Sequence, residues 1–385
     1  MATADGVHAM VPREKMDLGA RKLRDAYAMV PGAPLYKKEF GYYCLDRWFK
    51  EGLAPDADFA KEFDYDPPGL TGFGGLGWCE PGYLPNFEEK TVEQLDEYDI
   101  VRDWAGRTVK FFKGRRNGFM PEYMDFPVHD RKDWEELCKP RLDPTTSARY
   151  EGLGDHMQRI TPCIERGWMV NQSIAGAGMY LRAMFGVQNM MLAFYDMPDV
   201  VHDMMATWLK LADAVTAAHQ KLATFDQLFI AEDICYNHGP LVGPDIFKEF
   251  WWPYYQQLIT NIKSRQIDQT RHMYIQIDTD GDCRPTIPWY MEEIGMDVMS
   301  PFEVASGCDV VEQSRQYPNL VMTGGIDKRV IALGPPAIDK YLERVIPPMR
   351  ERGGYIPTSD HGVPEECSLE NYRYYRKRIV ELGGN

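Results

Sequence analysis

From residue 227 to its end the chain alternates between short apolar runs and longer stretches with helical spacing. Runs at 227–231, 272–278, 298–302, 320–323 and 355–358 have the length and composition of buried strands. Helical patterns at 244–262, 285–294, 309–317, 336–352 and 368–382 separate them, the last with Ser368 as N-cap. A strand that returns parallel to its predecessor needs a crossover, so this rhythm demands a parallel sheet layered with helices. Upstream, 34–40, a run around 107–112 and 168–173 supply three more candidate strands. Eight parallel units close most naturally into a (β/α)8 barrel, whose body needs ~250 residues. The remaining length fits an N-terminal helical arm over 1–30 and an insertion over about 52–130 within a single domain spanning 1–385. That insertion holds a Gly-, Pro- and Asp-rich excursion at 55–85, placed to act as a lid, and a hairpin at 98–113.

The chemistry of such a barrel sits where its strands end. The expected strand ends are polar: Glu232-Asp233, then Asp278-Thr-Asp280, Glu303, Asp327-Lys328 and Asp360-His361. If the fifth strand persists to Asp280, period-two alternation puts Asp278 and Asp280 on one face. Carboxylates crowded at an apolar strand end repel one another unless a cation or a proton relieves them. Glu232, Asp280 and His361 form the predicted metal set, with Asp278 as fourth ligand or as the group orienting one. Zn2+ wants about three or four such ligands and one open position. Glu303 and Asp360 are candidate proton shuttles. Competing structural roles exist for each. Glu232 or Asp233 could cap the segment at 236–246, Asp327 and Lys328 could pair with each other, and Asp282 suits a cap for a helix starting near Arg284.

Composition excludes several classes. The chain of 385 residues carries a net charge of -15, and its basic residues cluster only at Lys113-Gly-Arg-Arg116, expected at a hairpin tip. Nucleic acid is therefore excluded as a partner. No apolar run approaches the ~20 residues of a membrane span. The eight cysteines include no CxxC and follow no secretion signal, so reduced thiols and a cytoplasmic protein are expected. Twenty-one methionines and 48 aromatic residues could line an adaptable apolar pocket as well as fill a core.

Five stretches carry a family resemblance: Glu232-Asp233, Asn237-His-Gly-Pro240, Asp278-Thr-Asp-Gly-Asp282, Gly324-Gly-Ile-Asp-Lys-Arg329 and Gly354-Tyr-Ile-Pro-Thr-Ser-Asp-His-Gly-Val-Pro364. Over roughly 227–385 the chain resembles the uroporphyrinogen decarboxylase-like superfamily. It looks most like the branch of anaerobic methyltransferases that move methyl groups to and from corrinoid proteins. In thiol-methylating members a His-x-Cys on strand five and a Cys on strand eight hold zinc. The matching positions here are Asp278-x-Asp280 and His361. Oxygen and imidazole in place of thiolates leave a harder, more electrophilic metal, suited to an oxygen donor. The Arg-Gln-Ala-Gly-Arg stretch by which decarboxylase members grip propionates is replaced by Tyr36-Lys-Lys-Glu-Phe-Gly-Tyr-Tyr43.

The resemblance implies a zinc-dependent O-demethylase component. Its small-molecule donor would be a methoxylated aromatic, and its acceptor the cobalt of a corrinoid on a separate protein, since no Asp-x-His-x-x-Gly occurs in this chain. The segment Phe63 to Tyr83 would cover or recognise that partner, and a homodimer is compatible with the sequence. The alternatives are a decarboxylase of a small acid and a barrel that binds a small molecule without turning it over.

Overall fold

The structure, a computed structural model, describes residues 8–114 and 120–384. In chain order its strands are β1 (Leu70–Phe73), β2 (Lys90–Gln94), β3 (Tyr98–Arg102), β4 (Thr108–Phe112), β5 (Glu122–Asp125), β6 (Met169–Ala175) and β7 (Gln227–Ala231). There follow β8 (Cys235–Tyr236), β9 (Gly239–Pro240), β10 (Tyr274–Asp278), β11 (Val298–Ser300), β12 (Val321–Thr323) and β13 (Tyr355–Ile356). Seven of them form one curled sheet in the order β1-β6-β7-β10-β11-β12-β13, with every neighbour parallel. Helices connect them, so the α/β barrel architecture expected from the alternation is present.

Two predicted barrel strands are corrected. The run at 107–112 is β4, which pairs antiparallel with β3 and β5 in a separate four-stranded sheet. The barrel strand comes instead from the excursion read as a lid, as Leu-Thr-Gly-Phe at 70–73. Gly72 explains its disguise: a Cβ there would lie 1.9 Å from the Asn171 carbonyl of β6, so the closest strand pairing admits only glycine. The segment at 34–40 is extended but forms no regular strand. It lies between the two open edges of the sheet. Asp66 N–H donates to the Lys37 carbonyl at 2.9 Å on one side, and on the other Val363 N–H donates to Gly41 at 2.8 Å and Tyr43 N–H to Val363 at 2.9 Å. Carboxylates replace the missing ladder: Asp66 accepts the Lys37 N–H at 2.6 Å and Glu39 the Ser359 N–H at 2.8 Å. The basic stretch at 113–116 runs into 115–119, outside the described residues.

Within the described part of the N-terminal arm expected over 1–30, the helix is α1 (Leu18–Tyr27), preceded by a 3-10 turn. Its buried face joins Met169, Val298, Val321 and Ile356, which lie on β6, β11, β12 and β13, in one cluster. Side chains from so many strands meet only inside a barrel, so α1 plugs the floor. Tyr27 hydroxyl donates to Gln276 at 2.9 Å above that plug. The larger apolar core lies between the sheet and its surrounding helices.

Candidate active site

Parallel register decides which side chains face inward. Ala231, Asp278 and Ser300 are lateral partners, as are Phe229, Gln276 and Val298 one layer deeper. Because Val298 and Gln276 belong to the interior above α1, so do Phe229, Asp278 and Ser300. Asp278 therefore projects into the carboxyl mouth, where the Ser300 hydroxyl donates to it. Burial first, then the charges of Asp280 and Asp233, push its carboxyl up to about 6, against that hydrogen bond and Lys38.

Asp280 and His361 also reach the mouth. His361 Nε2 lies 3.5 Å from Asp280 Oδ2, which raises the imidazole pKa. The His361 ring is held between Phe40, at 5.0 Å, and Tyr43, stacked at 5.7 Å with its hydroxyl 3.1 Å from Nδ1.

Glu232 is elsewhere, and the predicted metal set is corrected accordingly. Its register is one step out of phase with Ala231, so it leaves the interior and meets the N-terminus of the helix Ala177–Phe185. Gly178 N–H donates to its Oε1 at 2.7 Å, and the Tyr255 hydroxyl donates to Oε2. A Cβ on Gly178 would stand 3.0 Å from Oε1, so the glycine makes room for the carboxylate. Full burial, the dominant cause, pushes Glu232 up to about 7. It caps a helix, though not the downstream segment expected. Among the described residues no group of three or more His, Cys, Asp or Glu side chains is arranged to hold a metal ion. Asp280 and His361 meet, and Asp278, held by Ser300, does not complete a group of three with them, so the residues as arranged do not fit a three-ligand zinc site.

The other candidates brace the mouth. Asp360 accepts Val304 N–H at 2.8 Å and Lys328 N–H at 3.1 Å, tying the turns after β11 and β12 to the end of β13; burial pushes it up to about 6. Glu303 accepts Gly281 N–H at 2.9 Å and pairs with Lys328 at 3.2 Å. Asp327 does not pair with Lys328; it caps the helix Lys328–Ala332 and binds Arg329. Asp282 is no helix cap either. It grips its neighbour Arg284 at 2.7 and 2.9 Å, and the next helix starts at Ile287.

Sequence reasoning missed four residues. Arg182 crosses from its helix to pair with Asp233. Trp78, in the loop after β1, stacks on Phe229 with centroids 4.9 Å apart and planes 7° apart, and its outer face is half exposed. Lys38 shares the inward face of its extended segment with Phe40, while Lys37 and Glu39 turn into the wall. Protein surrounds Lys38 closely enough to lower its pKa by desolvation, yet its side chain meets water through the open mouth. Period-two alternation over 36–40 was the available signal for Lys38; nothing local marked Trp78, Phe229 or Arg182.

The model of the family Uroporphyrinogen decarboxylase (URO-D) matches residues 105–381. The chain belongs to this family. Among solved structures, a methyltransferase from Methanosarcina mazei has the same fold at 12% identity and a TM-score of 0.58, covering 95% of this chain and 99% of its own. A putative vitamin-B12 independent methionine synthase from Listeria monocytogenes aligns at 12% identity over 92% of this chain and 99% of its own, with a TM-score of 0.37. No curated protein matches the sequence. No helix among the described residues is long and apolar enough to cross a membrane.

Proposed function

We propose that this member of the uroporphyrinogen decarboxylase family is a methyltransferase. It takes a methyl group from the oxygen of a methoxylated aromatic compound and passes it to the cobalt of a corrinoid carried by a separate protein. The observation that carries this reading is the composition of the mouth. The Trp78–Phe229 stack offers a flat apolar shelf one layer below Asp278, whose charge reaches Lys38. A substrate ring can lie on the shelf while its ether oxygen meets the polar pair. The methyltransferase from Methanosarcina mazei has this fold, which is compatible with the reading.

The chemical demand is the leaving group. A phenol-type oxygen has a pKa near ~10, so it departs poorly without a positive charge or a proton beside it. This chain's residues bind the ring, align the methyl carbon toward the opening and keep bulk water from the oxygen. Ser300 holds Asp278 toward the substrate, and His361, braced by Tyr43 and Asp280, closes the opposite side.

The test is direct. Purified protein with 2-methoxyphenol or 4-methoxybenzoate and cobalamin reduced to cobalt(I) should release the free phenol as the cobalamin spectrum changes to the methylated form. Asp278→Asn should lower the rate by roughly 10²- to 10⁴-fold. A second reading, decarboxylation of a small aromatic acid, is favoured by the unpaired Lys38 cation, which could receive a carboxylate. Release of carbon dioxide from 4-hydroxybenzoate, with no methyl transfer from either ether, would establish that reading and sink the first.

A further inference from the structure

The mouth pairs its cations with one exception among the described residues. Arg182 faces Asp233, Lys328 faces Glu303 at 3.2 Å, and His361 faces Asp280 at 3.5 Å. Among the described residues Lys38 has no ion-pair and no hydrogen-bond partner. Glu39 and Asp278 lie near enough to be felt electrostatically. Glu39 is committed outward, to Ser359 N–H, the Ser359 hydroxyl and the Tyr372 hydroxyl. Asp278 accepts from Ser300. An ammonium that stands at an open mouth with no side chain committed to it is free to meet a negative group that arrives there. The same mouth lacks the third donor a catalytic metal would need.

Taking these together, we propose that the Lys38 ammonium, rather than a bound metal ion, takes up the negative charge on the departing ether oxygen. This rests on the methyl-transfer reading above. Cobalt(I) of the acceptor supplies the electron pair of the new carbon–cobalt bond. The methyl carbon–oxygen bond breaks with its pair going to oxygen. Lys38 donates a hydrogen bond to that oxygen and then its proton, leaving a phenol and a neutral amine. Water entering through the open mouth returns the proton. Preorganisation favours the step: Phe40 and His361 fix the inward face of the segment, and Lys37 and Glu39 anchor its outward face on either side of Lys38.

The test compares methyl ethers whose phenols grow more basic, from 4-nitroanisole through 4-methoxybenzoate to anisole. The full-length protein is first stripped with chelator and its metal content measured, and reduced cobalamin serves as acceptor. Wild type should transfer methyl without metal. Lys38→Met should lose roughly 10²- to 10³-fold in kcat with anisole, and progressively less toward 4-nitroanisole, whose oxide needs little help. Lys38→Arg, which keeps the charge, should fall between, and thermal unfolding of each variant reports that the fold is intact. An equal loss across the series, no loss, or a rate restored only by added zinc overturns the proposal while leaving methyl transfer standing. No transfer from any ether by wild type overturns the underlying reading and this inference with it.

Discussion

At the scale of single residues the structure separates carboxylates that look alike in the sequence. Asp278 and Glu232 both follow apolar strands, but one register step sends the first into the mouth and the second to a helix N-terminus. Sequence alternation located the strand ends; it could not say which side of the sheet a residue one past the end would take. That phase depends on the turn, and here Glu232 and Asp233 N–H groups both donate to the Asp278 carbonyl, with Asp233 at a positive φ of 39°. The fate of Glu232 has a measurable consequence. In the unfolded chain its carboxyl loses its proton near 4.5, whereas in the folded protein it holds it until about 7. Unfolding therefore releases a proton between those values, and stability falls as pH rises through that window. At ~1.36 kcal/mol per unit, the loss is about 3 kcal/mol, complete above the folded value. Glu232→Gln keeps the acceptor for Gly178 and removes the titration. Denaturant unfolding at pH 5 and pH 8 should show a variant that gains on wild type at the higher pH, and an unchanged difference between the two pH values would refute the assignment.

Among elements, the strands with strong apolar runs, β6, β7, β10, β11, β12 and β13, stood out in the sequence because burial on both faces imposes their composition. β1 did not, because a glycine that fits against β6 contributes no apolar signal. β4 misled for the opposite reason: its alternation is that of a strand, and a half-buried antiparallel strand reads like a barrel strand at that length. The floor was also illegible, since it depends on contacts across the whole chain. Asp226, fully buried just before β7, accepts Arg24 of α1 at 3.0 and 3.2 Å, Arg271 ahead of β10 at 3.2 Å and the Val170 N–H of β6 at 2.8 Å. Burial alone would raise its pKa, but the two guanidinium groups outweigh it and hold the carboxyl below its usual range. One carboxylate thus fastens α1 to the amino ends of three strands. Asp226→Ala would leave Arg271 buried without its counter-ion and should cost ~3–5 kcal/mol, read as a lowered midpoint in denaturant. A loss below ~1 kcal/mol, the value of an exposed pair, would mean that water reaches the floor and the plug is loose.

For the molecule as a whole, the open question of the alternation was how the cylinder closes. Seven parallel strands leave β1 and β13 with unpaired edges, and such edges invite pairing with other chains unless something covers them. The cover is the segment 35–43, which contributes three backbone hydrogen bonds, at Lys37, Gly41 and Tyr43, supplemented by the Asp66 and Glu39 carboxylates. A seam made this way is weaker than a ladder, because each bond stands apart from the next and lacks the cooperative pairing of a strand. Yet the same seam carries Lys38, Phe40 and Tyr43 into the mouth, so the least regular part of the cylinder supplies its functional wall. Local opening free energies span from near zero to the global value, and the seam should sit well below the central strands. Native-state hydrogen exchange checks this: the amides of Tyr43 and Val363 should exchange through local opening, independent of denaturant at low concentration, whereas Ile275 and Ile277 at the centre of β10 should exchange only with global unfolding. A ligand that spans Lys38 and the Trp78 shelf bridges the seam to the far wall, and it should slow Tyr43 and Val363 by closing their local opening, whereas Ile277 should slow only by the ligand's stabilisation against global unfolding. Equal protection of seam and centre in the free protein would show instead that the cylinder closes as firmly as a full eight-stranded barrel.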